Sequence, residues 1–364
     1  MKSRIVTFIV PRLFPAVDGL GDYGLSLAKK LRTDFGVDVD FIVADPRWIG
    51  ATAIEGFKVY KLSACTEEKL LQSLSSNSVT SHTVVLHYVG YGYAKRGCPG
   101  WLVSGLEKWR KNSDQHQLIT MFHELFAFGP IWTSQFWTSP YQRYLTKELG
   151  LISDHSLTSK NQYAEILQKL TNKVSQKIIV LPVFSNIGEP ENPPLLKTRM
   201  KRMIIFGGKG PRMRLYQDSL SAIERICKIL NIAEICDVGP PLDIEMPTIL
   251  GKKINVLGVK STEEISELLL NSLMGLVNYP TAYLCKSGIF ASYAAHRVLP
   301  IVISSQEEEA DGVIENVHYI NAKLFSDIDD LEKLQVIADN AFQWYQDHQQ
   351  KIHASTFHSL LPKV

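Results

Sequence analysis

The stretch from Leu273 to Ile303 constrains this chain more than any other. An apolar run, Leu273 to Val277, breaks at Asn278-Tyr279-Pro280, passes into a segment rich in small residues, and ends in a second apolar run, Pro300 to Ile303. A strand, a loop opening a helix, and a strand make one α/β unit. The helix start, Lys286-Ser287-Gly288-Ile289, carries the chemistry. Ser287 can cap the helix, Gly288 lets a ligand come close to the backbone, and the first N–H groups point outward at the positive end of the helix dipole. That is a seat for a diphosphate, and Lys286 beside it adds charge. The same residues also suit a buried crossover packed through Ala291, Ala294 and Ala295, and both readings stand at this point.

The rest of the chain extends the pattern. Ile5 to Val10 reads as a buried first strand, followed by an irregular loop to Asp18, the glycines Gly19, Gly21 and Gly24, and a helix from Leu25 to Leu31. Val39 to Ala44, Thr83 to Tyr88, Leu118 to Phe122 and Lys177 to Leu181 read as further strands. Helical stretches fall around Glu67 to Leu74, Pro140 to Leu149 and Lys160 to Leu170. Pro182 to Thr198 then breaks the alternation with four prolines, glycine and polar residues, the composition of a domain boundary. After it the pattern restarts: strands at Met203 to Phe206, Ile235 to Val238 and Ile254 to Leu257, and helices at Ser219 to Leu230 and at Thr262 to Leu270, capped by Ser261 or Thr262. Helices from about Asp329 to Gln350 and a short tail close the chain. At 364 residues the length suits two domains. We expect an α/β fold of two Rossmann-like domains, 1–184 and 185–345, with residues 346–364 packing back on the first. A ligand is expected in the cleft between them, over the carboxyl ends of the strands.

Composition narrows the function. A net charge of +2, with no basic run interleaved with aromatics, leaves no footprint for nucleic acid. The five cysteines are odd in number and scattered, which suits reduced residues of a cytoplasmic protein better than a disulfide framework or a zinc site. The start of the sequence is too short in apolar residues for a signal peptide, and no run approaches the length of a membrane span.

Several motifs compete for the chemistry. Gly19-Leu20-Gly21-Asp22-Tyr23-Gly24 spells G-x-G-x-x-G with Asp45 at the end of the next strand, formally a dinucleotide fingerprint for an NAD(P)-dependent oxidoreductase. Eight residues separate Val10 from Gly19, where that fingerprint needs the glycines directly after the strand; a flexible glycine lip over a phosphate or sugar suits the spacing better. Asp38-Val39-Asp40 and Asp327-Ile328-Asp329 spell D-x-D, but the first pair sits where a strand begins and Asp327 suits a helix cap, so no metal is expected. His123 and Glu124 follow a strand at its carboxyl end, where His123 can bond a sugar hydroxyl or move a proton. His87-Tyr88 ends another strand in the same way. The aromatic loops Tyr88 to Tyr93 and Phe126 to Trp137 offer ring faces to a carbohydrate, or pack on themselves. Lys209, Arg212 and Arg214 cluster after the first strand of the second half, where cations neutralise a leaving diphosphate.

Together these residues resemble the GT-B glycosyltransferases, glycosyltransferase family 4 in particular and its exopolysaccharide-assembling members. The resemblance rests on the glycine segment Gly19 to Tyr23, on Phe122-His123-Glu124, and on a second-domain series. That series comprises Phe206-Gly207-Gly208-Lys209-Gly210, Val256-Leu257-Gly258-Val259, Asn278-Tyr279-Pro280 and the stretch from Lys286 to Val302. It implies a nucleotide-diphosphate sugar bound between the domains. By that resemblance Ser287, Gly288 and Ile289 take the phosphates through their N–H groups, with Lys286 close by, and Leu257 and Gly258 take the base. His123, with Glu124, meets the sugar; Lys209 with Arg212 or Arg214 offsets the diphosphate; Gly21 and Asp22, with Gly19, lie near the donor phosphate or acceptor. The family's paired glutamates fall near Leu284 and Ser292, neither acidic, so the ribose contact passes to Ser292 or a neighbour. The expected arginine after the glycine pair is Lys209, which keeps charge without bidentate geometry. The implied activity is retaining, metal-independent transfer of a hexose, from UDP-glucose by preference, to a carbohydrate or lipid-linked acceptor in polysaccharide biosynthesis. A lipid-linked acceptor would add peripheral membrane contact. The oxidoreductase and a non-catalytic sugar-nucleotide-binding relative remain as alternatives.

Overall fold

A computed structural model describes residues 4–16, 18–75, 82–127, 129, 132–173, 177–304, 308, 310–323 and 330–362. The chain divides into two compact units, Met1–Pro182 with Gln350–Val364, and Val183–Gln349.

The first unit is built on an eight-stranded sheet in the order Ala53–Ile54, Phe57–Lys61, Val37–Val43, Arg4–Val10, Thr83–Tyr88, Gln117–Phe122, His155–Thr158, Ile179–Val180. All neighbours are parallel except the Ala53–Ile54 and Phe57–Lys61 hairpin, which turns through Glu55 and Gly56, both at positive φ, as a tight hairpin turn requires. Arg4–Val10 pairs with Val37–Val43 on one side and Thr83–Tyr88 on the other, so the strand order reverses between Arg4–Val10 and Thr83–Tyr88. Ligands of open α/β sheets bind outside the carboxyl ends of the strands at such a reversal.

The first helix runs Gly19–Phe35, six residues earlier than the apolar spacing predicts. The glycine segment is therefore not a loop but the helix's opening turns. Two features outweigh the poor helix propensity of glycine. Asp18 caps the helix, its carboxylate accepting from the N–H groups of Leu20 and Gly21. Packing also requires small residues there: a Cβ on Gly21 would lie 2.1 Å from the Arg12 carbonyl oxygen, and one on Gly24 would crowd Val10 at 3.2 Å. A further helix, Gly100–Lys111, which was not among those expected, buries Leu102, Val103, Leu106 and Trp109. The C-terminal tail is a helix too, Gln350–Leu360, and it packs on the first unit. His358 stacks on Phe35 at 4.4 Å, and the Gln117 side-chain amide donates to the Leu360 carbonyl at 2.8 Å.

The second unit repeats the design with six parallel strands in the order Asn255–Gly258, Glu234–Val238, Met200–Phe206, Ser272–Asn278, Leu299–Ile303, Ile320–Asn321. Its strand order reverses between Met200–Phe206 and Ser272–Asn278. A helix follows each of those two strands: Lys209–Asp218 directly, and Gly288–Ala295 after the 3₁₀ turn Thr281–Lys286. The segment after Phe206 thus becomes helical ten residues sooner than the sequence pattern predicts, and Ser219, at φ −139°, separates it from the next helix, Leu220–Ile229. Thr262–Leu270 carries the capping box the sequence suggests, with Ser261 and Glu264 bonding each other's backbone N–H.

Among the described residues no helix is long and apolar enough to cross a membrane.

Candidate functional site

The candidate residues gather at the strand-order reversal of each unit, and each half is described by itself.

In the second unit the carboxyl ends of three strands meet through glycines. Gly207, after Met200–Phe206, has φ +130°, and a Cβ there would lie 2.7 Å from the Ile289 side chain. Gly239, after Glu234–Val238, has φ +147°, and a Cβ would lie 2.3 Å from the Gly207 carbonyl oxygen. The Gly239 N–H donates to the Gly258 carbonyl at 2.9 Å. Only glycine allows this approach, so Gly207, Gly239, Gly258 and Ile289 share one rim. Leu257 is half-buried on the same edge strand. Gly239 went unrecognised in the sequence; its only signal was a glycine directly after an apolar run.

Two other glycines differ in kind. At Gly208, the N-cap of Lys209–Asp218, and at Gly288, the first residue of Gly288–Ala295, a Cβ would meet no atom within 4 Å. Neither packing nor positive φ accounts for them, and both sit where a helix offers unpaired N–H groups. Ser287 caps the second of these helices, accepting from the Phe290 N–H at 3.2 Å, as its position predicts. Its own N–H donates to the Leu284 carbonyl at 2.9 Å, so Ser287 cannot offer that group to a phosphate. The seat reduces to Gly288 and Ile289, which precede the first bond of the helix, Ala291 N–H to Ser287 O. Lys286 is half-buried, its ammonium 5.6 Å above the Tyr283 ring.

Two further expectations are corrected. Arg212 is fully buried: its guanidinium pairs with Asp237 and bonds the Pro240 carbonyl, and its Nε donates to the Gly207 carbonyl at 2.9 Å. Tyr216 donates to the other Asp237 oxygen at 2.8 Å. Arg212 therefore holds the glycine rim in shape and is not available to a ligand. Ser292 is buried as well, donating to the Gly288 carbonyl at 2.7 Å and bonded to the Ser185 hydroxyl at 3.1 Å, so it cannot meet a ribose. Arg214 is exposed, and Lys209 makes one loose contact, 3.3 Å to the exposed Asp243. A contact of that kind is worth little and yields readily to a ligand.

In the first unit, His87 is the penultimate residue of Thr83–Tyr88, and His123 follows Gln117–Phe122 directly. The N–H of His123 donates to the Tyr88 carbonyl at 3.0 Å, which ties the two strand ends together. Glu124 beside it is exposed. The histidine rings lie 3.3 Å apart, Nδ1 of His87 to Nε2 of His123. Tyr23, from the glycine-rich helix start, packs edge-on against both, at centroid separations of 5.4 and 4.9 Å. Its hydroxyl lies 2.7 Å from Nδ1 of His353, whose Nε2 lies 2.9 Å from the Pro182 carbonyl. Tyr23 was hidden in a motif read for its glycines, and His353 lies in a tail whose sequence gives no signal.

Asp22 lies in the same first turn and is exposed. Desolvation of its carboxyl, and then the charge of Asp18, push its pKa up to about 6. Asp45 does not behave as a ribose-binding acid: Arg47 holds both its oxygens, at 3.1 and 3.2 Å, and lowers its pKa. With Gly21 and Gly24 explained by close packing, the dinucleotide reading loses its motif. Asp38 is bonded by Arg32 at 3.0 Å, near the amino end of its strand; Asp327 lies outside the described residues.

No protein-family model and no curated protein matches the sequence. Solved structures do match the fold. An α-glucosyltransferase in complex with UDP-glucose and DNA containing an abasic site superposes with a TM-score of 0.61, 10% identity and 99% of each chain covered. The lipopolysaccharide outer core galactosyltransferase WaaB, in its apo form, gives 0.53 at 11% identity over 98% of each chain. An α,α-trehalose 6-phosphate synthase from Burkholderia multivorans gives 0.57 at 10% identity over 98% of this chain and 96% of that one. Across almost its whole length, therefore, the chain has the GT-B fold of these glycosyltransferases.

Proposed function

We propose that this protein is a glycosyltransferase that moves a hexose from a UDP-sugar, glucose by preference, to a carbohydrate or lipid-linked acceptor in the cytoplasm, in the assembly of a polysaccharide of the exopolysaccharide kind. The observation that carries the reading is the pair of open helix starts in the second unit. Gly208 and Gly288 leave the N–H groups of two helices clear at one strand-order reversal, with Lys209, Arg214 and Lys286 close in sequence. That is the chemistry of a diphosphate seat. The likeness of the whole chain to an α-glucosyltransferase holding UDP-glucose supports it.

In this reading Gly288 and Ile289 donate to the donor phosphates, Lys209 and Arg214 stabilise the departing diphosphate, and Leu257 and Gly258 border the base. His123 meets the transferred sugar, with Glu124, Gly19 and Asp22 near the acceptor. Retention and independence of metal belong to the proposal: the departing diphosphate takes the acceptor proton, and catalysis rests on positioning and charge stabilisation.

One surface favours a lipid-linked acceptor. The helix Ser134–Ile152 exposes Phe136, Trp137, Tyr141 and Tyr144, with the cations Arg143 and Lys147 beside them. Trp and Tyr interleaved with basic residues suit the headgroup region of a membrane. Its inner face is fixed to the strand-end loops: Gln142 accepts from the Ala127 N–H at 2.8 Å and donates to the Arg96 carbonyl at 2.7 Å, and Thr146 donates to the Leu125 carbonyl at 2.7 Å.

The test is UDP release from UDP-glucose and UDP-galactose, offered with lipid-linked saccharides in vesicles and, separately, with hydroxymethylated DNA. The reading expects release that requires the saccharide acceptor. It also expects a loss of at least about tenfold in Lys209→Ala and Gly288→Val, each melting where the parent does. Release driven by DNA alone, or full activity in the double variant, contradicts it.

A further inference from the structure

We propose that His87 is a positioning residue that fixes the tautomer of His123, holding its Nε2 as a hydrogen-bond acceptor so that its own ring proton stays on Nδ1. The inference rests on the reading of His123 as the residue that meets the transferred sugar, and it states what His123 can then do there.

The surroundings of His87 decide where its ring proton lies. The ring is fully buried, with Phe8 and Tyr23 packed edge-on against it at 5.1 and 5.4 Å. Its Nδ1 lies 3.3 Å from Nε2 of His123. Its Nε2 is buried with no hydrogen-bond partner, close to where a Cβ on Gly24 would stand, 3.6 Å away. Burial drives the pKa of His87 down to about 3, so at neutral pH the ring is uncharged and carries one proton.

That one proton has two places to go. On Nε2 it would be a buried N–H donor with no acceptor, a costly group to leave unmade. On Nδ1 it faces His123, and only a bare lone pair is left toward Gly24. The second arrangement is the cheaper one, and in it His87 donates to Nε2 of His123. A neutral His123 must then carry its proton on Nδ1.

The neighbours hold this geometry. The Pro182 carbonyl can only accept, so Nε2 of His353 donates to it, and with a single ring proton the Nδ1 of His353 accepts from the Tyr23 hydroxyl. Tyr23 is thereby anchored at its far end while its ring packs on both His87 and His123. Gly24 lies beside the ring, where a Cβ would stand in ordinary contact with it at 3.6 Å.

The chemical consequence is a limit on His123. With Nε2 occupied and Nδ1 protonated, neither ring nitrogen of His123 is left as the base that removes a proton. That agrees with a mechanism in which the departing diphosphate takes the acceptor proton.

Long-range proton–nitrogen NMR of ¹⁵N-histidine-labelled full-length protein at neutral pH tests the assignment, and it needs no turnover. The expected spectrum shows His123 protonated on Nδ1. It stays so in His87→Asn, whose amide nitrogen replaces the Nδ1 donor, and changes to the Nε2-protonated form in His87→Leu. In the transfer assay His87→Leu should lose about tenfold or more in kcat with UDP affinity unchanged, and His87→Asn should recover most of it. A wild-type His123 protonated on Nε2 overturns the proposal without any variant. So does a folded His87→Leu protein whose His123 keeps its proton on Nδ1. The expected tautomers in a protein that transfers no sugar would leave this assignment standing and count against the glycosyltransferase reading alone.

Discussion

At the scale of single residues, two buried histidines make the protein acid-sensitive. Burial lowers the pKa of His87 to about 3 and that of His296 to about 4. Unfolded, both take up protons near pH 6.5; folded, they resist. As pH falls below 6.5 the unfolded chain therefore binds more protons, and stability drops by ~1.4 kcal/mol per pH unit for each histidine. Below about pH 6 the raised pKa of Asp22 opposes this, and solvent screening at that exposed carboxyl keeps its share small. Urea unfolding between pH 7 and 5 should show the midpoint falling steadily, and His296→Gln should reduce the slope. A flat midpoint over that range contradicts the neutral burial of both rings. The same scale shows where sequence was least informative. Lys209, Arg212 and Arg214 are alike as a string of cations, yet Arg212 is spent on Asp237 and two backbone carbonyls while Lys209 and Arg214 are exposed. Ser287 and Ser292, both read as ligand contacts, are buried and bonded to the chain's own groups. Which face of a helix turns inward decides these roles, and a short helix of small residues has no apolar stripe to announce it.

At the scale of elements, the helix Gly288–Ala295 is held at its strand by a second glycine with a different task. Gly275 lies in Ser272–Asn278, and a Cβ there would fall 2.3 Å from the Tyr293 ring. That ring lies flat enough on the strand for its hydroxyl to donate to the Leu276 carbonyl at 3.0 Å. Gly275→Ala should therefore force Tyr293 off the sheet and cost about 1–3 kcal/mol, read as a lower melting temperature. Gly288→Val, in open space, should leave melting unchanged. Equal melting of the two variants would contradict this division of labour. Elements of this kind were legible in the sequence where apolar runs were β-branched and bounded by turn residues, as at Ile5 to Val10 and Leu273 to Val277. They were not legible where tertiary packing overrode propensity. The first helix begins on a glycine-rich turn because Asp18 caps it, and because the Arg12 carbonyl at Gly21 and the Val10 side chain at Gly24 crowd the space a Cβ would take. The helix Gly100–Lys111 carries its signal in Leu102, Leu106 and Trp109 at helical spacing, whereas the two-residue strand before the Glu55-Gly56 turn is too short to show alternation.

At the scale of the molecule, the sequence's one proline-rich break, Pro182 to Thr198, begins where the chain passes from the first compact unit into the second, between Pro182 and Val183. The return of the chain at Gln350 makes the C-terminal helix part of the first unit, where His353 reaches Tyr23. Two sheets with the same kind of strand reversal, each bearing its own set of candidate residues, follow from two runs of the same apolar alternation. That repetition is why the fold class was readable from the sequence although no family model matches it. The central claim is that the glycine rim and open helix starts of the second unit seat a uridine diphosphate. Titration calorimetry of the full-length protein with UDP, GDP and NAD, each with and without EDTA, tests it most directly. The account predicts saturable UDP binding that ignores EDTA and is weakened in Gly288→Val. Binding of NAD with no response to UDP would contradict it.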